Sequence, residues 1–134
     1  MLSKCMFSLI VRDYDEALDF YTRKLGLVVA EDIPMGEDRW ITLTAPGDQG
    51  WSIALHRAKH EGDESLIGRQ GGGFPLFGLE TDDCATEYLR LKELGVRFDS
   101  EPEAQPWGTG AVLQDPYGNR IYLNEEPKEA FRPA

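Results

Sequence analysis

The 134-residue sequence predicts an α+β fold of two tandem βαβββ modules, whose curved mixed sheets are set around a cavity. Three observations predict it. A helical segment recurs 69 positions further along, each copy is preceded by a strand, and each copy is followed by three more strand-like runs.

The first strand is CMFSLIV (5–11), apolar and rich in β-formers. DYDEALDFYTRKLG (13–26) reads as a helix. Asp13 is placed as N-cap with Glu16 at N3, a capping-box spacing. Tyr14, Ala17, Leu18, Tyr21 and Leu25 form an apolar stripe, and Gly26 is a natural stop. LVVAEDI (27–33), RWITLTA (39–45) and WSIALHR (51–57) follow as strands, the last two joined by the turn Pro46-Gly47-Asp48-Gln49-Gly50. Lys59–Gly73 is polar, ends in Gly71-Gly72-Gly73, and reads as a mobile linker. It is not a phosphate loop, because it lacks the Lys-Ser/Thr ending and no capped helix follows.

The second module repeats the plan. FPLFGLE (74–80) is its first strand, and DDCATEYLRLKELG (82–95) its helix. Asp82 or Asp83 is the cap, Cys84, Tyr88 and Leu91 the stripe, and Gly95 the stop. VRFDS (96–100), GAVLQ (110–114) and RIYLN (120–124) complete it, the last two joined by the turn Asp115-Pro116-Tyr117-Gly118-Asn119. Asp13 and Asp82, Leu25 and Leu94, and Gly26 and Gly95 each stand 69 positions apart. The expectation is a single domain over 1–134, with modules at about 5–58 and 74–126 and a linker at 59–73.

Composition narrows the function. Formal net charge is −10 and the sequence pI about 4.6, which repels nucleic acid and anionic membranes. Two cysteines, Cys5 and Cys84, make neither a disulfide framework nor a zinc pattern. CMFSLIV lies between Lys4 and Arg12 and is too short for a signal-peptide core, so a cytoplasmic protein is expected.

Strand alternation sorts the side chains into two faces. Phe7, Leu9 and Val11, Ile41 with Leu43, Ile53 with Leu55, and Ile121 with Leu123 are assigned to the helices. The opposite faces carry Met6, Ser8 and Ile10; Trp40, Thr42 and Thr44; Ser52, Ala54 and His56; Leu76, Gly78 and Glu80; and Arg120, Tyr122 and Asn124. Aromatics, hydroxyls and isolated charges on an otherwise apolar surface are what a small-molecule pocket requires.

The paired modules, the stretch DYDEALDFYTRKLGL and the ending PWGTGAVLQDPYGNRIYLNE resemble the vicinal oxygen chelate superfamily. Glyoxalase I, bleomycin-resistance proteins, extradiol dioxygenases and fosfomycin-resistance enzymes belong to it. The resemblance spans roughly residues 5–126 and is specific for fold rather than reaction. In metal-dependent members it implies His, Gln or Glu ligands at four strand positions, which fall here on Met6, Ala54, Leu76 and Tyr122. A thioether, a methyl, an isobutyl group and a phenol are not such ligands. A displaced site would rest on His56 and Glu80 without a third strong donor, so no metal and no cofactor are expected.

The resemblance therefore implies a metal-independent binder of a small organic molecule in the cavity between the sheets. Its pocket would be lined by Met6, Ser8, Trp40, Ala54, Leu76, Trp107, Tyr122 and Asn124. Tyr122 reads either as an aromatic shelf or as filler, and Trp107 either as a lid or as packing. Arg39 can anchor an anionic group or extend along the rim. The alternative is a glyoxalase-like lyase or isomerase with His56 as base, assisted by Ser8 or Glu80. Glu80 also reads as a solvated edge carboxylate, and His60 as a solvated loop residue. A purely structural module, its cavity filled by its own side chains, is a third possibility. The resemblance also implies a homodimer.

Overall fold

β1 (Cys5–Val11) and β4 (Trp51–Arg57) run parallel in the first of two units, Met1–Gln70 and Gly71–Ala134, into which the chain divides. The computed structural model describes residues 1–47 and 49–128. Asp48 of the turn expected at 46–50 lies outside the described residues.

In the N-terminal unit, β2 (Val28–Met35) and β3 (Asp38–Thr44) extend the sheet to the order β1-β4-β3-β2, with antiparallel β2–β3 and β3–β4 pairs. Leu9, Val11, Ile41, Leu43, Ile53 and Leu55 are buried, as the alternation requires. α1 (Tyr14–Leu18) lies against β4. Asp13 caps it by accepting the Asp15 N–H at 2.9 Å.

The helix does not continue as α to Gly26. Residues Asp19–Lys24 form a π-helical segment, in which the Leu25 N–H reaches back five residues to the Phe20 carbonyl. The Thr22 hydroxyl donates to the Leu18 carbonyl at 2.6 Å within that stretch. The wider turn shifts the phase of the buried stripe. Phe20, absent from the expected stripe, is buried beside Tyr21 with their rings edge-on, whereas Leu18 and Leu25 are half-buried. Gly26 ends the helix at φ 87°.

The expected linker carries structure that the sequence did not suggest. The Asp63 carboxylate accepts the N–H groups of Lys59 and His60 at 3.0 and 2.7 Å, and a one-turn helix α2 (Asp63–Leu66) follows. The Gln70 carboxamide then accepts from the Ile10 N–H at 2.6 Å and donates to the Ser8 carbonyl at 3.0 Å. It satisfies the outer edge of β1 as a neighbouring strand would.

The C-terminal unit contains β5 (Phe77–Glu80), β6 (Arg97–Phe98), β8 (Gly108–Gln114) and β9 (Arg120–Glu125) in the order β5-β9-β8-β6, with β7 (Glu103–Gln105) paired to β8. β5 is parallel to β9 and the other pairs are antiparallel. β5 starts at Phe77 rather than Phe74, because the Phe74 N–H closes a turn onto the Gly71 carbonyl and Pro75 has no N–H to offer. β7 was not foreseen. It forms a hairpin with β8 across Pro106-Trp107, pairing Gln105 with Gly108.

α3 (Cys84–Glu93) packs on β8 and β9 and is capped by Asp83, which accepts the Thr86 N–H at 3.0 Å. The turn at 115–119 is built round the buried Asp115 carboxylate, which accepts from the backbone of Tyr117 and Asn119 and from the Asn119 amide. Among the described residues no helix is long and apolar enough to cross a membrane.

Candidate functional site

The face of the N-terminal sheet turned away from α1 carries a contiguous polar and aromatic row. β1 and β4 pair Ile10 with His56 and Ser8 with Ala54, and β3 pairs Thr42 with Ala54. This register sets His56 Nε2 3.0 Å from Ser8 Oγ. Trp40 stands edge-on to the His56 ring, with centroids 6.3 Å apart. The Trp40 indole N–H and the Thr42 hydroxyl donate to the same Glu31 oxygen on β2, at 3.2 and 3.1 Å. Ala54 and Ser52, at the middle and start of β4, are buried, and Met6 at the start of β1 is 48% exposed.

At one end of this row the sheet opens into a cleft of about 270 Å³. Ile10, Met35, Trp40 and His56 supply its apolar and aromatic lining together with the buried ring of Tyr14, the first residue of α1. Its charged rim comes from Asp38 and Arg39 at the start of β3, Arg57 at the end of β4, and Lys59, His60 and Asp63 beyond it. The volume is close to the lower end of the range for organic ligand sites.

The rim charges are closely paired. Arg39 donates twice to Asp32 and once to Asp15. The hydrogen bond from Arg39 holds the Asp32 carboxyl below its ordinary range. Asp38 accepts from Lys59 at 2.9 Å, Arg57 at 3.3 Å and the Tyr14 hydroxyl at 3.4 Å. Its carboxyl is held below the ordinary value chiefly by the Lys59 hydrogen bond, and Lys59 is raised in return. Asp63 is lowered mainly by the N–H groups of Lys59 and His60. The Tyr14 ring lies beneath the Arg39 and Arg57 guanidinium groups, at 5.6 and 6.0 Å.

Of the candidate residues read from the sequence, Trp40 and His56 line the cleft directly, and Ser8 reaches it through His56. His60, expected as a solvated loop residue, is exposed but sits on the rim with Nδ1 3.3 Å from Asp63. Arg39 is committed to Asp15 and Asp32. The sequence reading missed Met35, Asp38, Arg57, Lys59 and Asp63. Met35 and Asp38 are joined by a two-residue turn whose Gly36 adopts φ 61°, and that pairing is the signal that would have revealed them.

The C-terminal unit holds the other candidates. Tyr122 pairs with Gly78 on one side and Val112 on the other, on the open face of its sheet. Its ring lies over Gly110, and the Trp107 indole N–H approaches its hydroxyl at 3.4 Å. Trp107 is half-exposed. Asn124 Oδ1 is buried without a hydrogen-bond partner and lies 2.8 Å from where a Cβ on Gly108 would be. Leu76 precedes β5, its N–H bound to the Arg120 carbonyl at 2.7 Å. Glu80 borders a recess with Thr81, Asp82 and Glu126. Among the described residues no group of three or more His, Cys, Asp or Glu side chains could hold a metal ion. The side chains of Met6, Ala54, Leu76 and Tyr122, a thioether, two alkyl groups and a phenol, do not make a ligand set for a divalent cation.

Residues 4–123 match the family model of the Glyoxalase/Bleomycin resistance protein/Dioxygenase superfamily. The Bacillus subtilis (strain 168) protein YurT is 42% identical over 120 residues, covering 87% of this chain and 93% of YurT. The crystal structure of UcmS2 superposes with a TM-score of 0.79 at 32% identity, covering 94% of this chain and 98% of UcmS2. TnmS3, an antibiotic binding protein from Streptomyces sp. CB03234, superposes with a TM-score of 0.74 at 32% identity, covering 91% of this chain and 93% of TnmS3.

Proposed function

The chain belongs to the Glyoxalase/Bleomycin resistance protein/Dioxygenase superfamily, and from that premise we propose that it binds a small organic molecule against the open face of its N-terminal sheet, without a divalent metal. One observation carries the reading: the apolar and aromatic side chains of Ile10, Tyr14, Met35, Trp40 and His56 line one cleft of about 270 Å³ together with charged side chains. The half-buried indole of Trp40 gives a flat molecule an aromatic surface to pack against, and its N–H is already satisfied by Glu31. The likeness to TnmS3, described as antibiotic binding, supports the same class of function.

The test is a thermal-shift screen of planar organic compounds. A compound that binds only the folded state at about 100 times its Kd stabilises by about 2.7 kcal/mol. Trp40→Ala should remove most of that shift. An undiminished shift in the variant would place the ligand elsewhere.

The contact between His56 Nε2 and Ser8 Oγ favours a second reading, a lyase or isomerase in which His56 moves a proton. It requires turnover of the bound compound, abolished in His56→Ala while binding persists.

A further inference from the structure

We infer that the ligand of this cleft carries an anionic group, a carboxylate or its equivalent, received by Arg57 and Lys59; the inference rests on the small-molecule reading above and names the ligand's chemistry. An acidic chain of net charge −10 would suggest the opposite, a cationic ligand. The rim geometry overrides that bulk tendency.

The two carboxylates of the rim are turned inward and used. The Asp63 side chain is 19% exposed, and its Oδ2 already faces the N–H groups of Lys59 and His60 and the His60 ring. The Asp38 side chain is 21% exposed and receives three donors. The two cations are turned outward: the Arg57 side chain is 41% exposed and that of Lys59 56%. They share the Asp38 carboxylate between them, while the rim's other carboxylate, Asp63, is taken up by the backbone N–H groups of Lys59 and His60 and by the His60 ring.

The Arg57 contacts are also long, 3.3 Å to Asp38 and 3.2 Å to the Glu37 carbonyl, and both come from a single nitrogen of a group with five N–H donors. Arg39, the third cation, is excluded from the role because Asp15 and Asp32 occupy its guanidinium. A molecule resting on Trp40 and His56 therefore has the exposed Arg57 and Lys59 head groups within the same cleft. A carboxylate there makes charge-assisted hydrogen bonds without displacing Asp38.

The experiment compares three ligands of one shape by calorimetry: 2-naphthoate, 2-naphthamide and 2-naphthylmethylammonium. The expected order is naphthoate tightest, about tenfold tighter than the amide at low salt, with the ammonium weakest. The naphthoate-to-amide ratio should fall to about one in the Arg57→Gln, Lys59→Gln double variant. It should rise in Asp38→Asn, which frees both cations. Equal binding of naphthoate and amide in the wild type, a preference for the ammonium, or a ratio that either variant leaves unchanged overturns the inference while the small-molecule reading stands. Failure of all three to bind at millimolar concentration overturns both.

Discussion

A methyl group added at Gly110 would meet the hydroxyl and ring of Tyr122, so glycine at that position is what lets the ring lie across β8 towards Trp107. Gly110→Ala should cost about 1–3 kcal/mol by forcing the ring aside. The penalty should shrink in a Tyr122→Ala background, since the two residues couple through one contact; additive penalties in chemical denaturation would refute the assignment. At this scale the sequence was partly legible. Alternation placed Tyr122, His56 and Trp40 on open faces, because side-chain direction follows from strand period alone. It could not tell that Ala54 would be buried while Met6 on the same kind of face is half-exposed, because exposure depends on what covers a face.

Helix ends were legible because their chemistry is local. Asp83 caps α3 through the Thr86 N–H and hydroxyl, and those hydrogen bonds hold its carboxyl below the ordinary range. A carboxyl with a lowered folded pKa stabilises fully above its unfolded value of about 3.9, and the contribution is lost as pH falls through the lower folded value. Asp83→Ala should therefore lower Tm by a few degrees at pH 7, with the gap to wild type closing below about pH 4. A gap of equal size at pH 3 and pH 7 would show that the carboxylate is not what matters. The Asp115 turn was equally plain, since Asp, Pro, Gly and Asn each have a defined local role. The π segment at Asp19–Lys24 was not. Nothing in the apolar spacing distinguishes it from α-helix, and only the packing that buries Phe20 with Tyr21 reveals the shift. β7 was missed because Gly108 and Gly110 dilute the strand signal of its partner, although close approach by Glu125 and Tyr122 is what needs those glycines.

For the molecule as a whole, the twofold βαβββ plan was readable because it is written twice, 69 residues apart, and each of the two units has the expected strand–helix–strand order. The cleft was not readable. Its lining comes from β1, β2, β3, β4 and the start of α1, but its rim depends on residues 59–63, which the sequence presents only as a polar connection. The central claim, that an organic ligand sits on the N-terminal unit, has a built-in reporter. Trp40 lies in the cleft, Trp51 at the far end of β4, and Trp107 in the C-terminal unit, and each indole N–H gives one nitrogen-15 correlation peak. Titration with 2-naphthoate should shift the Trp40 peak progressively to saturation and leave the Trp107 peak in place; a saturating shift of Trp107 with Trp40 unmoved would contradict it.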